Sequence, residues 1–174
     1  MLEKYNRYRL LKVFLDSPTE SFRLRELSRF SKISPPSVMN YLREFEKEGL
    51  IRRYEKRDVH FYQALRENKR FVLWKKLSII YELEESGLVD FLWEHFFPKA
   101  IILYGSYAKG ESVENSDLDL FITGKEKKID MEKFEKKLNK EIHLMFEEDA
   151  KKIPKELKNN LINAVVLRGY FKVL

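Results

Sequence analysis

The sequence predicts an α/β (α+β) protein with a small helical domain closed by a hairpin, a helical linker, and a mixed sheet flanked by helices. Three observations carry this. Apolar residues recur at helical spacing through the first 48 positions, two strand-like runs around a charged turn come next, and after Pro98 short apolar runs alternate with charged helical segments. With 174 residues, 44% hydrophobic and 14% aromatic, the chain is long enough for one large domain or two small ones and apolar enough to build a real core. The expected boundaries are 1–66, 67–97 and 98–174.

Leu10, Leu11, Phe14 and Leu15 mark one face of a first helix over 3–15, which Ser17-Pro18 ends. Leu24, Leu27 and Phe30 give a short second helix from Phe22 to Phe30. After a turn at Lys32-Ile33-Ser34, Ser34 is placed as an N-cap with Pro35-Pro36 in the first turn, where a missing N–H does little harm. Val38, Tyr41, Leu42 and Phe45 form the buried face of a third helix, and Gly49 stops it. Its opposite face carries Ser37, Met39, Asn40, Arg43 and Lys47. Residues 50–54 and 59–64 then read as two strands around the charged turn Glu55-Lys56-Arg57-Asp58.

Residues 67–97 are rich in large apolar groups (Phe71, Trp74, Leu77, Ile80, Leu88, Phe91, Leu92, Phe96), too many for a flexible tether. They serve either as a dimer interface or as a cap on the following core. Beyond Pro98 the pattern is strand (100–104), turn and short helix (105–114), strand (117–123), helix (130–140), strand (141–146), then a helix over about 147–167. Gly169 is expected to end that last helix, and the tail 171–174 to dock on the sheet edge.

Composition narrows the chemistry. The absence of cysteine excludes disulfides and thiolate sites, and His60, His95 and His143 have no ligand-like spacing, so a structural zinc is not expected. Any metal is expected to be a hard cation held by oxygen. The opening MLEKYNRYRLLK lacks a signal peptide's apolar segment, and no apolar run approaches membrane-spanning length, so a cytoplasmic protein without a membrane partner is expected. The net charge of +6 lies wholly in the first 66 residues, which hold 15 Lys+Arg against 9 Asp+Glu, while the remainder balances at 19 against 19. Ten of the twelve arginines fall there too, which suits a polyanion partner.

The densest chemical signal is AIILYGSYAKGESVENSDLDLFIT, Ala100 to Thr123. Asp117 and Asp119, two apart in a strand, point to one face. Facing a Gly105-Ser106 turn with free backbone N–H groups, they would hold a divalent cation, expected as Mg²⁺, while the turn cradles the phosphates it bridges. Gly105 lets phosphate approach the backbone, Ser106 adds a hydroxyl donor, and Lys109 is near enough in sequence to contribute charge.

Both halves resemble known families. Three helices and a basic hairpin form the winged helix-turn-helix arrangement, and SPPSVMNYLREFEKEGLIRR resembles the recognition helix and wing of MarR-like and ArsR-like regulators. The resemblance implies DNA contact through Ser37, Asn40 and Arg43 on the helix and Arg52, Arg53, Lys56 and Arg57 on the wing, commonly in a homodimer. Gly105-Ser106, Ala108, Gly110 and Ser116-Asp117-Leu118-Asp119-Leu120 closely resemble the signature of the minimal nucleotidyltransferases of the DNA polymerase beta-like superfamily. That resemblance covers 98–174 and implies transfer of a nucleoside monophosphate from ATP or another nucleoside triphosphate to an acceptor hydroxyl, with Mg²⁺ on Asp117 and Asp119. Some such proteins act as antitoxins that modify a HEPN-type toxin.

One position departs from that pattern. The superfamily carries a third carboxylate between two apolar residues on the next strand, and here the slot reads Ile142-His143-Leu144. Glu141 shares a strand face with His143. Three readings are open: Glu141 has taken the role, His143 is a neutral base, or catalysis is lost while nucleotide binding remains and the protein acts as a DNA-binding regulator.

Overall fold

The computed structural model describes residues 5–149 and 152–171. They form an α+β architecture in two units, with the boundary between Ser78 and Ile79.

In the first unit, α1 (Asn6–Asp16), α2 (Leu24–Ser31) and α3 (Pro35–Lys47) bury Leu10, Leu11, Phe14, Leu27, Val38, Leu42 and Phe45 in one cluster. Each such side chain contributes about 1.5–3 kcal/mol on leaving water, which offsets the entropy of ordering three short helices that would not persist alone. The helix α3 ends as the sequence predicts: Gly49 takes φ +71, Leu50 N–H donates to Phe45 O at 2.9 Å and Gly49 N–H to Glu46 O at 3.0 Å. Ser34 stands at the N-cap position, but its hydroxyl donates to Ser37 Oγ at 3.0 Å and caps no backbone N–H.

The hairpin β2 (Ile51–Lys56) and β3 (Val59–Ala64) turns on Arg57 and Asp58 alone, at φ 53 and 59. A two-residue turn with both residues left-handed matches strand twist, so β2 runs two residues further than expected. Phe22 belongs to a short strand, β1 (Ser21–Phe22), that pairs Phe22 with Tyr62. The second helix accordingly starts at Leu24, with Arg23 N–H donating to Glu26 Oε2 at 2.7 Å. Two residues are too short to carry a period, and only pairing with β3 reveals β1.

The residues expected to link the domains are shared between the two cores. In α4 (Lys69–Ser86), Phe71 and Trp74 pack in the first cluster, whereas Ile79 and Leu83 pack in the second unit with Leu88, Val89, Leu92 and Phe96 of α5 (Leu88–Phe96).

The second unit is built on a four-stranded sheet ordered β6-β5-β4-β7. Strand β4 (Ala100–Leu103) leads through α6 (Gly105–Lys109) to the antiparallel β5 (Leu118–Ile122). A crossover through α7 (Glu132–Leu138) brings β6 (Ile142–Phe146) parallel to β5. One sheet face, with Ile101, Leu103, Leu118, Leu120 and Ile142, packs on α5 and α7. The other carries Ala100, Ile102 and Phe121, covered by Ile153 and by Leu161 of α8 (Lys155–Ile162).

Three expectations here need correction. The helix after the Gly-Ser turn is five residues long and stops at Gly110, whose φ of 74 is left-handed. The last helix covers Lys155–Ile162 rather than 147–167, because Pro154 at its N-cap bars continuation from upstream. Beyond it the chain forms a strand, β7 (Val165–Gly169), which pairs with the free edge of β4; β-branched Val165 and Val166 suit that pairing. Gly169 is therefore no helix stop. At φ +79 it lets β7 pass Lys99 so closely that a Cβ would lie 2.1 Å from the Lys99 carbonyl oxygen. Phe171 packs against Phe121 on the sheet face, with ring centroids 5.9 Å apart, and 172–174 lie outside the described residues.

Candidate functional site

Strand alternation places Asp117, Asp119 and Phe121 on one face of β5, and Glu141, His143 and Met145 on the same face of the parallel β6. The apolar cover of this face involves Phe121 and not the first residues of either strand, which emerge as a polar cluster. Register sets the partners: Asp119 lies opposite His143, and Leu118 N–H donates to Glu141 O at 2.9 Å, bringing Glu141 beside Asp117.

His143 is the hub of the cluster. Its Nδ1 lies 3.9 Å from Asp117 Oδ2 and 3.8 Å from Asp119 Oδ1, and its Nε2 lies 3.3 Å from Glu141 Oε1. One ligand atom each from Asp117, Glu141 and His143 fall within 4.8 Å of one another, a spacing that one cation can gather. Burial raises the Asp119 carboxyl above the usual carboxylate range; neighbouring Asp117 pushes the same way while His143 opposes. A bound cation would relieve that cost.

The Gly105 turn meets this cluster directly. Tyr104 N–H donates to Asp119 O at 3.1 Å, after which Gly105 adopts φ +71 and starts α6. A Cβ built on Gly105 would lie 2.3 Å from Asp119 Oδ2. Only glycine fits, and the turn's backbone and the carboxylate share one small space. Ser106 comes next, half-buried, its carbonyl taken by Glu111 N–H at 2.9 Å. The connecting loop is tied by Val113 N–H donating to Ser116 Oγ at 2.8 Å, so Ser116 fixes where Asp117 begins.

Thus Gly105, Asp117, Asp119, Glu141 and His143 converge. Lys109 ends α6 as an exposed side chain and does not join them. Sequence reasoning missed Tyr104, whose phenol is shifted upward by burial and by the charge of Asp119; its place next to Gly105 was the available signal. It also missed an open groove of about 570 Å³ that runs from Glu141 along Glu132, Glu135, Lys136, Asn139 and Lys140. Helical spacing on α7 puts Glu132, Glu135 and Lys136 on one side, but nothing local links them to Glu141.

In the first unit, Asn40 and Arg43 are exposed and Ser37 half-buried on α3. The acidic residues of this region are engaged: Arg7 of α1 donates from Nε to Glu44 Oε2 at 3.1 Å and pairs through its other arm with Glu48. Arg7 is a contributor that its sequence neighbourhood does not reveal. On the wing, Arg52 donates to Gln63 Oε1 at 2.7 Å and Arg53 lies 3.9 Å from Glu46, whereas Lys56 and Arg57 stand exposed at the tip.

A glycine turn set against strand carboxylates on a mixed sheet defines a class of site suited to metal-bridged phosphates, and a basic helix-plus-hairpin face defines a nucleic-acid reader. The family comparisons agree with both. Residues 86–167 match the model described as nucleotidyltransferase domain, and residues 23–52 match that described as winged helix-turn-helix DNA-binding. The chain carries both domains, the winged helix-turn-helix first. No curated protein and no solved structure gives a match to it. Among the described residues no helix is long and apolar enough to cross a membrane.

Proposed function

We propose that the protein is a divalent-metal-dependent nucleotidyltransferase, using ATP or another nucleoside triphosphate, whose winged helix binds DNA. The observation that supports this reading is the 2.3 Å approach between Asp119 Oδ2 and the Cβ position of Gly105, a closeness that would let the turn backbone meet phosphate while the carboxylate meets the metal. The donor set fits a divalent cation: two aspartates and an imidazole converge, with Glu141 beside them. When bound, the cation neutralises the triphosphate and polarises its α-phosphorus. The chain's own residues do the rest. Gly105 and Ser106 hold the phosphates, and Asp117 and Asp119 bind the cation. An acceptor hydroxyl oxygen bonds to the α-phosphorus as the bond to the bridging oxygen of pyrophosphate breaks. Its proton passes to Glu141, which is exposed at the mouth of the groove and is the carboxylate nearest His143.

The acceptor in this reading is a hydroxyl of a partner protein, of which a HEPN-type toxin is one instance. DNA binds through Ser37, Asn40, Arg43, Arg52, Arg53, Lys56 and Arg57. A homodimer forms through Leu73 and Leu77, which stand exposed four residues apart on α4. The proposed partners, DNA and a nucleoside triphosphate, support a cytoplasmic location.

A second reading is favoured by one observation, the imidazole where a third carboxylate is expected: a DNA-binding regulator that binds nucleotide and does not transfer it. Calorimetric titration of ATP, with and without Mg²⁺ or Mn²⁺, into wild type and the Asp117→Asn/Asp119→Asn double variant tests the site common to both. Metal-dependent binding present in the first and lost in the second is expected; equal binding by the two would sink the site. Label transfer from α-labelled ATP to protein then separates enzyme from regulator.

A further inference from the structure

Parallel register on β5 and β6 puts His143 directly opposite Asp119. The side chain reaches three carboxylates at once, through different ring nitrogens. Nε2 lies 3.3 Å from Glu141 Oε1, while Nδ1 lies 3.9 Å and 3.8 Å from Asp117 and Asp119. With Nε2–H donating to Glu141, the imidazole is held in the tautomer whose Nδ1 lone pair faces the two aspartates. A carboxylate behind one ring nitrogen is the usual device that orients a metal-ligating histidine and raises its basicity. Two ligand atoms on one ion can sit up to about 4.2 Å apart, given bond lengths of about 2.1 Å, so both Nδ1 separations suit a shared ion.

We infer that His143 is a direct ligand of the cation through Nδ1, positioned by Glu141, and that this moves the site's preference from Mg²⁺ toward a first-row transition ion, Mn²⁺ being the ion we test. The inference rests on the proposed nucleotide site and concerns which cation occupies it. Mg²⁺ is a hard ion that favours oxygen and holds its waters, so replacing a carboxylate by a neutral imidazole removes both a charge and an oxygen it would use. Ions further along the first row gain more from nitrogen. The same exchange leaves a two-aspartate site less negative, which lowers Mg²⁺ affinity further.

The test is electron spin-echo spectroscopy of Mn²⁺ bound to the full chain with ATP, using protein labelled with ¹⁵N-histidine so that imidazole is distinguished from adenine nitrogen. Competition of Mg²⁺ against Mn²⁺ is measured on the same samples. The expected result is an imidazole coupling in wild type that is absent in His143→Asp, together with at least a tenfold fall in the Mn²⁺-over-Mg²⁺ preference of that variant. Because an Asp restores a third carboxylate, the variant should gain Mg²⁺ binding, an outcome that simple misfolding does not produce. If Mn²⁺ binds and is lost in Asp117→Asn/Asp119→Asn, but shows no imidazole coupling and an unchanged preference in His143→Asp, the ligand role of His143 is overturned and the nucleotide site stands. If neither wild type nor His143→Asp binds Mn²⁺ beyond the double variant, both the inference and the proposed site fall.

Discussion

Gly49 and Gly105 share the same left-handed φ of +71, one closing α3 and the other opening the turn at the carboxylate cluster. The group behind each differs. A Cβ on Gly49 would meet Asn68 Nδ2 at 2.8 Å, the far end of a side chain that can swing away, whereas a Cβ on Gly105 would meet Asp119 Oδ2 at 2.3 Å. The first glycine is needed to stop a helix; the second is needed because the Asp119 carboxylate occupies the space. The same contrast runs through the two units. In the first, the side chains proposed to meet DNA stand outward on a helix and a hairpin tip, and fold and proposed function are nearly separable. In the second, backbone turn, strand register and carboxylates form one object, so a change to any of them reaches the proposed site.

The largest expected effect comes from that contrast. Gly105→Ala forces a Cβ into the Asp119 carboxylate and adds left-handed strain of about 1–2 kcal/mol. Metal-dependent ATP binding should fall by more than about tenfold, equivalent to about 1.4 kcal/mol. DNA affinity, read by fluorescence anisotropy, should stay within error. ATP binding at wild-type strength by a folded Gly105→Ala protein would break the comparison, because it would mean that turn and carboxylate do not share a ligand.

Next in size is Arg43→Ala. Arg43 is exposed on α3 while Glu44 and Glu48 are held by Arg7, so its charge faces outward uncompensated by those two neighbours. A side chain reading a base edge is worth about 1–3 kcal/mol, and its loss should relax preference among DNA sequences rather than weaken all equally. Uniform weakening across sequences would reassign Arg43 to the phosphate backbone.

The parts of this design that sequence reveals are those written in local patterns. Helical spacing in α1 and α3, the Gly49 stop, and the Gly-Ser and Asp-x-Asp pairing are each contained within about one or two turns or strands. The hidden parts depend on distant partners. Strand β7 reads as helix in the sequence because its apolar residues continue α8's composition, and only the free edge of β4 makes it a strand. The two-residue β1 exists through Tyr62. At the site, Asp117, Asp119 and Gly105 are legible from spacing, while the hub position of His143 requires the β5–β6 register. Sequence shows an absent carboxylate there, and the structure shows an imidazole between three carboxylates.

Gly49→Ala should have a smaller effect, confined to stability. The strain is about 1–2 kcal/mol, and Asn68 can rotate away. For a unit of this size that corresponds to a fall of roughly 4–16 °C in its thermal transition, with ATP binding untouched. Any loss of ATP affinity would show that the two units are coupled more tightly than the separate roles of their glycines imply.

Lys56→Ala carries the smallest effect and sharpens the comparison at its weakest point, the assumption that the wing works by charge alone. Lys56 is the last residue of β2, next to the Arg57-Asp58 turn, exposed, and not tied down as Arg52 is by Gln63. A lysine there touches phosphate as a point charge, so its removal should weaken binding to every DNA sequence alike and reduce the slope of log affinity against log salt by about 1. Arg52→Ala should change that slope less, because its guanidinium is already engaged by Gln63 and stacked 5.9 Å over Tyr54. Equal slopes for the two variants would show that Arg52 leaves Gln63 when DNA binds. The wing would then be a surface that rearranges on contact, and the outward side chains of the first unit would be less independent of its fold than their exposure suggests.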